Sequence, residues 1–106
     1  MSQRFKMAAL VLLATSMGLP AFSQGPGAET YKAKCAMCHG ADGLAATPMA
    51  KSMKVVSFKD PTMTGALDAQ FIASTTNGKG KMPAYTGKLT DAQIKDVISY
   101  IRTLQK

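Results

Sequence analysis

The residues best suited to chemistry lie in one stretch of five, Cys35-Ala36-Met37-Cys38-His39. They include both cysteines and the single histidine of the chain. Two thiols three positions apart lie on one side of a helical turn, and the neighbouring imidazole is a ligand for transition metals. The spacing C-x-x-C-H is the attachment signal for a c-type haem, in which the thiols hold the porphyrin and the histidine binds the iron.

The same residues allow three other kinds of site. Cys35 and Cys38 could form a thioredoxin-like redox pair, although that pair needs a βαβ context that the chain does not supply. They could contribute to a zinc site, although zinc prefers about four ligands and His39 is the one further donor beside them. They could also form a structural disulfide with His39 next to it by chance. We favour haem attachment because it uses all three side chains at this spacing.

The first residues have the layout of a secretory signal peptide. A short basic start with Arg4 and Lys6 precedes an apolar run over residues 7–14, and Pro20 interrupts any helix. Residues 21–23 resemble a small-x-small cleavage site. A retained membrane anchor would need about 20 apolar residues, and this run is shorter. The sequence therefore predicts a signal peptide over residues 1–23, which is removed, and one domain over residues 24–106.

The chain is basic, with 13 Lys and Arg against 6 Asp and Glu among 106 residues. Removal of Arg4 and Lys6 would leave 11 basic residues and a formal charge of +5. Basic charge is typical of proteins that bind nucleic acid or anionic lipid. Export argues against nucleic acid, and the lysines are scattered rather than clustered. We expect no nucleic-acid partner, no membrane span after signal removal and a monomeric protein.

Hydrophobic spacing predicts an all-α fold with three main helices and irregular loops. The closing helix is the best marked, because Thr90 and Gln93 form a capping box and Leu89 and Ile94 can form a hydrophobic staple. Residues 40–64 are long for a structureless connection in a compact domain, unless they wrap a cofactor. The helices are predicted over residues 28–38, over 67–76 and from 91 onwards, with one short helical turn at 48–53.

A haem iron bound by His39 has a sixth position to fill. No second histidine exists, so methionine sulfur and lysine are the donors available. Met82 lies in a glycine-rich loop over residues 78–87 that can bend towards the iron, and Pro83 stiffens this loop. We expect Met82 to be the ligand. The other methionines of the domain are expected to fill the core: Met37, Met49, Met53 and Met63.

These stretches resemble the small soluble monohaem class I cytochromes c. The matching pieces are residues 35–40, residues 77–85 and residues 98–101 of the closing helix, and they span nearly all of the predicted domain. The resemblance implies a cytochrome c-like fold wrapped around one covalently attached haem c, with the first and last helices crossing. Tyr31 and Ala28 would then lie against Tyr100 and Ile101.

The resemblance also implies a ligand set. Cys35 and Cys38 would carry the haem, and His39 and Met82 would bind its iron. A carbonyl near a proline would orient His39, and Pro48 or its neighbour is the candidate. One departure is Leu67, which stands where members often have a polar helix cap.

A haem with both axial positions filled by protein has nowhere for a substrate to bind. We therefore expect a diffusible electron carrier, not an enzyme, that cycles between Fe(III) and Fe(II) in the periplasm or another secreted location. Lys79 and Lys81 belong to the loop that carries Met82 and would favour redox partners with acidic docking surfaces. The alternative is a gas-binding or peroxidase-like haem protein, which requires an open or labile sixth position.

Overall fold

The computed structural model describes residues 25–106, which form six helices of unequal length. The predicted signal peptide over residues 1–23, and with it the predicted cleavage point, lies outside the described residues. The described part contains two isolated β-bridges and no named strand, so the predicted all-α class is confirmed. The helices are α1 (Pro26–Lys34), α2 (Ala36–His39), α3 (Pro48–Ser52), α4 (Pro61–Thr64), α5 (Asp68–Asn77) and α6 (Asp91–Leu104).

The first predicted helix is divided in the structure. We expected one helix through residue 38, but α1 ends at Lys34 and α2 begins at Ala36. Cys35 lies between them, and its carbonyl accepts hydrogen bonds from the amides of both Cys38 and His39. Because both amides bond to the Cys35 carbonyl, a new helical turn begins at Ala36, one residue after Cys35. Gly40 then ends α2 with a φ of 85°, as its position after the motif predicted.

The crossing of α1 and α6 forms the centre of the core. Gly27 has no side chain at the point where α1 meets the Asp96 carbonyl of α6. The rings of Tyr31 and Tyr100 lie 5.2 Å apart, which confirms this part of the expected crossing. Tyr31, Val97 and Ile98 are almost fully buried.

Residues 40–64 contain more helix than we predicted. The expected turn at 48–53 is α3, which Thr47 caps by accepting a hydrogen bond from the Ala50 amide at 3.0 Å. The prediction missed α4, which Asp60 caps through the Thr62 amide at 2.9 Å. In both helices proline follows the cap, where its fixed φ suits the first helical position. A capping residue followed by proline therefore marks the start of α4 in the sequence just as it marks the start of α3.

The last two helices begin nearly where expected. Leu67 is the N-cap of α5 and has no polar side chain, so only its amide is satisfied, by Gln70 Oε1 at 2.8 Å. Thr90 and Gln93 form the reciprocal capping box of α6 at 3.1 and 2.8 Å, as predicted. Among residues 25–106, no helix has the length and apolar character required to cross a bilayer.

Candidate functional site

One cavity of about 830 Å³ lies between α2, α5, α6 and the loops on either side of them. Cofactor pockets typically occupy roughly 300–1,000 Å³. The predicted site residues all line it: Cys35, Cys38, His39 and Met82. The fold therefore brings the attachment motif and the distant methionine to the wall of one cavity, although 43 positions separate His39 from Met82.

The two thiols are suited to attachment rather than to redox exchange. Cys35 is buried, Cys38 is half-buried, and they are not joined in a disulfide. Burial, with a smaller contribution from Cys38, raises the pKa of Cys35 to about 11. A thiol–disulfide oxidoreductase needs a lowered cysteine pKa. The raised pKa of Cys35 therefore disfavours the thioredoxin-like alternative, in which this thiol would be the nucleophile.

The donor set does not suit zinc. Within residues 25–106, no three His, Cys, Asp or Glu side chains converge on a point that could hold a metal ion directly. A structural zinc site is closed by about four such side chains. An iron that receives its equatorial ligands from a porphyrin needs only axial donors from the chain, and His39 and Met82 are of the right types.

His39 is held by packing instead of by the expected hydrogen bond. Its ring stacks on Phe58, with centroids 4.6 Å apart and an interplanar angle of 16°. Nδ1 is buried and has no hydrogen-bond partner among the described residues, so the carbonyl expected near Pro48 does not hold it. Thr47, beside Pro48, instead donates its hydroxyl to the Met37 carbonyl at 3.2 Å.

The environment of His39 fits an iron-bound imidazole. Burial lowers the pKa of His39, which favours the neutral ring that binds metals. A histidine that binds a metal usually donates its other ring nitrogen to a second group, and Nδ1 has no such partner among the described residues. The fit to a haem rests on the neutral ring, which lines the cavity together with both thiols.

Met82 lies in a tightly folded turn. Its amide donates to the Lys79 carbonyl at 2.9 Å, and its carbonyl accepts from the Lys79 amide at 3.1 Å. Gly78 approaches this turn so closely that a Cβ there would lie 2.8 Å from the Met82 carbonyl oxygen. Gly78 also has a φ of 77°, so a side chain is disfavoured for two reasons.

The methionines divide differently from the prediction. Met53 and Met63 line the same cavity as Met82. Met37 and Met49 do not fill the core, because their side chains are 71% and 42% exposed. The prediction for these two was wrong: residues 35–40 turn the two cysteines inward, and the residue between them faces solvent.

Sequence reasoning did not connect two aromatic residues with the site, although it placed Tyr31 at the helix crossing. Phe58 is buried and supports His39, and the available signal was a lone phenylalanine inside residues 40–64. Tyr31 donates its hydroxyl to the Gly40 carbonyl at 2.6 Å, directly after the attachment motif. Burial raises the pKa of Tyr31 above the ordinary tyrosine range.

The cavity wall carries positive charge only. We call the four cationic residues that line it the lysine rim; no Asp or Glu described for this cavity accompanies them. Each of the four is exposed. The lysine rim consists of Lys34, Lys54, Lys79 and Lys81.

Known proteins resemble this chain over most of its length. A family model described as cytochrome C oxidase, cbb3-type, subunit III, matches residues 23–101. The chain is also 36% identical over 104 residues to a cytochrome c6 from Picosynechococcus sp., covering 88% of this chain and 86% of the relative. It belongs to the small class I cytochromes c.

Further comparisons agree with this family. A cytochrome c6 from Nostoc sp. is 36% identical over 103 residues, covering 91% of this chain and 90% of the relative. The solved structure of KustC0563 c-type cytochrome superposes with a TM-score of 0.70 at 26% identity, covering 76% of this chain and 98% of that one. This cytochrome therefore carries covalently bound haem c and transfers electrons, and it is not an enzyme.

Proposed function

We propose that this cytochrome is a diffusible one-electron carrier whose haem iron lies between His39 and Met82. The observation that carries the proposal is that the C-x-x-C-H motif and Met82 line the same cavity. We further propose that residues 1–23 direct export and are removed, so that the protein works as a monomer in the periplasm or another secreted location. An intact mass that begins at Gln24 is the direct check of the cleavage point.

Each residue of the site has a separate task in this proposal. Cys35 and Cys38 tether the cofactor, so it is not lost when the carrier moves between partners. Phe58 fixes the plane of the His39 ring by stacking on it. The haem, when bound, supplies the Fe(III)/Fe(II) couple. Met82 provides a sulfur donor, and histidine–methionine ligation raises the reduction potential.

The walls of the cavity support electron transfer over substrate chemistry. Phe58, Phe71 and Ile98 are buried and line it, so they exclude water from the cofactor face that they cover. If His39 and Met82 both hold the iron, the chain would leave no open position for a gas or peroxide. The gas-binding alternative is therefore not favoured.

We propose that partners dock on the lysine rim through acidic surfaces. Lys79 and Lys81 lie in the loop just before Met82, and Lys34 precedes Cys35, so positive charge lines the cavity beside both parts of the site. Complementary charge across a transient interface mainly raises the association rate. A carrier that must bind and leave quickly benefits from this arrangement.

The ligand assignment is tested by replacing each cavity methionine with alanine in the holoprotein. Met82→Ala is expected to abolish the sulfur-to-iron charge-transfer band, to allow carbon monoxide binding to the reduced protein, and to lower the potential. The shift should be on the order of 100 mV, well inside the range of about 0.8 V that axial ligands span. Met53→Ala and Met63→Ala are matched controls, since both residues line the same cavity. If either control lost the band while Met82→Ala kept it, the assignment would be wrong.

A further inference from the structure

Tyr85 connects the Met82 loop, residues 78–87, to the helix that precedes the attachment motif. Its hydroxyl donates to the Lys34 carbonyl at 2.9 Å, across 51 positions of sequence. Lys34 is the last residue of α1 and stands directly before Cys35. One phenol therefore joins the segment that carries Met82 to the segment that carries the thiols.

The backbone of Tyr85 fastens the same residue to two further elements. Its amide donates to the Thr75 carbonyl of α5 at 2.9 Å. Its carbonyl accepts from the amides of Lys88 and Leu89, both at 2.9 Å, in the turn that leads into α6. Three backbone hydrogen bonds therefore fix the position of Tyr85, and its phenol reaches Lys34 from this fixed position.

Few other hydrogen bonds hold the part of the loop around Met82. In the described chain, the backbone bonds of Met82 go to Lys79 and stay inside the loop. Gly80 and Lys81 are exposed. After the amide of Gly78, which bonds to the Ser74 carbonyl at 2.9 Å, the next hydrogen bonds that leave the loop are those of Tyr85.

We propose that Tyr85 is a positioning residue whose hydroxyl keeps the Met82 loop closed over the cavity. Closure brings Met82 to the cofactor, and the bond to Lys34 ties the methionine side of the site to the cysteine side. Within residues 25–106, loss of the bond leaves residues 79–84 held to α5 only through the backbone bonds of Gly78, Tyr85 and Thr86, so this part of the loop, with Met82, moves away from the cavity more easily. The proposal rests on the proposed ligation by Met82.

The test is Tyr85→Phe, which deletes the hydroxyl and keeps the ring. Purified holoprotein with one haem per chain is reduced and exposed to carbon monoxide, and the rate of binding is followed in the visible spectrum. We expect the rate to rise by about 2- to 10-fold, the factor that one intramolecular hydrogen bond contributes to a local equilibrium. Oxidised Tyr85→Phe is expected to show the charge-transfer band at room temperature. On gentle warming this band is expected to weaken before the helices melt.

Tyr100→Phe is the matched control. It makes the same chemical change on α6, where the ring packs on Tyr31, and Tyr100 is not among the residues that line the cavity. Its carbon monoxide rate should equal that of the unmodified protein. An unchanged rate in Tyr85→Phe, or an equal rise in both variants, overturns the inference.

Met82→Ala in the same series separates the two proposals. If it binds carbon monoxide freely while Tyr85→Phe behaves like the unmodified protein, the ligand assignment stands and the role of Tyr85 is refuted. If Met82→Ala leaves both the spectrum and the carbon monoxide rate unchanged, the ligand assignment fails and the role of Tyr85 fails with it. Fast binding in Met82→Ala with an intermediate rate in Tyr85→Phe supports both.

Discussion

At the residue scale, Tyr31 holds the end of the attachment motif. Its side chain is only 1% exposed, and its hydroxyl bonds to the carbonyl of Gly40, which follows His39. Gly40 is itself buried, so water cannot replace this bond. Together with the bond from Tyr85 to Lys34, it means that a tyrosine hydroxyl is bound to the backbone at each end of residues 34–40.

Tyr31→Phe is expected to lower the free energy of unfolding of the holoprotein by about 0.5–1.5 kcal/mol, because the buried Gly40 carbonyl loses one of its two hydrogen bonds and keeps the one from the Gly43 amide. Denaturant unfolding at neutral pH measures the change. Tyr100→Phe, on the adjoining ring, serves as the control. A loss no larger than that of the control would show that the bond from the Gly43 amide alone satisfies the Gly40 carbonyl.

The same residue predicts a pH dependence at the alkaline end. Burial raises the pKa of Tyr31 above its ordinary value, so the unfolded phenol ionises at about pH 10 while the folded one stays neutral. The contribution of Tyr31 is complete below this pH and is lost as the pH rises above it, by about 1.4 kcal/mol per pH unit. Stability curves between pH 9 and 11 should be flatter for Tyr31→Phe than for the unmodified protein, and parallel curves would contradict the assignment.

At the element scale, the crossing of α1 and α6 depends on Gly27. A Cβ at this position would overlap the backbone carbonyl of Asp96, and backbone cannot move aside as a flexible side chain can. The two helices therefore approach more closely than any other residue at position 27 would allow. This approach places Tyr31 among Val97, Ile98 and Ile101 in the core.

Gly27→Ala is expected to destabilise the holoprotein by about 1–3 kcal/mol, the usual cost of overpacking a close contact. Thermal or denaturant unfolding measures it. Ala33→Ser, an exposed position of the same helix, should change stability by less than about 0.5 kcal/mol. Stabilisation by Gly27→Ala, as helix propensity alone would predict, would mean that the crossing relaxes without cost.

The C-terminal end of α6 holds two segments that line the cavity, one at Phe58 and one at Ala66. The Gln105 amide donates to the Phe58 carbonyl at 3.0 Å, and the Arg102 guanidinium donates to the Ala66 carbonyl and to Asp68. The ion pair with Asp68 is solvent-exposed on one side and contributes little by itself. The side-chain bonds to backbone carbonyls contribute more to the structure. The bond from Gln105 keeps Phe58 where it supports His39.

At the scale of the whole molecule, positive charge exceeds negative charge and part of it lines the cavity. The described residues carry 11 Lys and Arg against 6 Asp and Glu. The lysine rim contributes four of these positive charges at one cavity. Such focused charge can raise association rates by about 10- to 1,000-fold at low ionic strength.

Reversing part of this charge is expected to reverse the preference among small redox reagents. The double variant Lys79→Glu, Lys81→Glu should be oxidised more slowly than the unmodified protein by anionic ferricyanide and faster by cationic tris(phenanthroline)cobalt(III). Each change should reach about 10-fold at low salt and shrink as salt rises. Lys95→Glu with Lys106→Glu makes the same net change away from the cavity, and equal effects in both pairs would remove the role of the lysine rim.

Local patterns were the most predictable part of this protein. The haem motif, the cap at Thr90 and the terminator at Gly40 depend on residues within a few positions of one another, so the sequence alone was sufficient for them. The break between α1 and α2 at Cys35 was missed. Helix propensity continues through the motif, and propensity does not show that the Cys35 thiol is buried.

The sequence by itself determined the chemistry: two thiols and one imidazole at haem spacing, an all-α class, and a glycine-rich loop with a methionine. Only the tertiary structure decided which methionines reach the cavity, that Phe58 supports His39, and that Tyr85 reaches Lys34. The physical reason is separation along the chain. These contacts join segments far apart in sequence, and their positions follow from how the helices pack and which surfaces they bury, neither of which a local pattern contains.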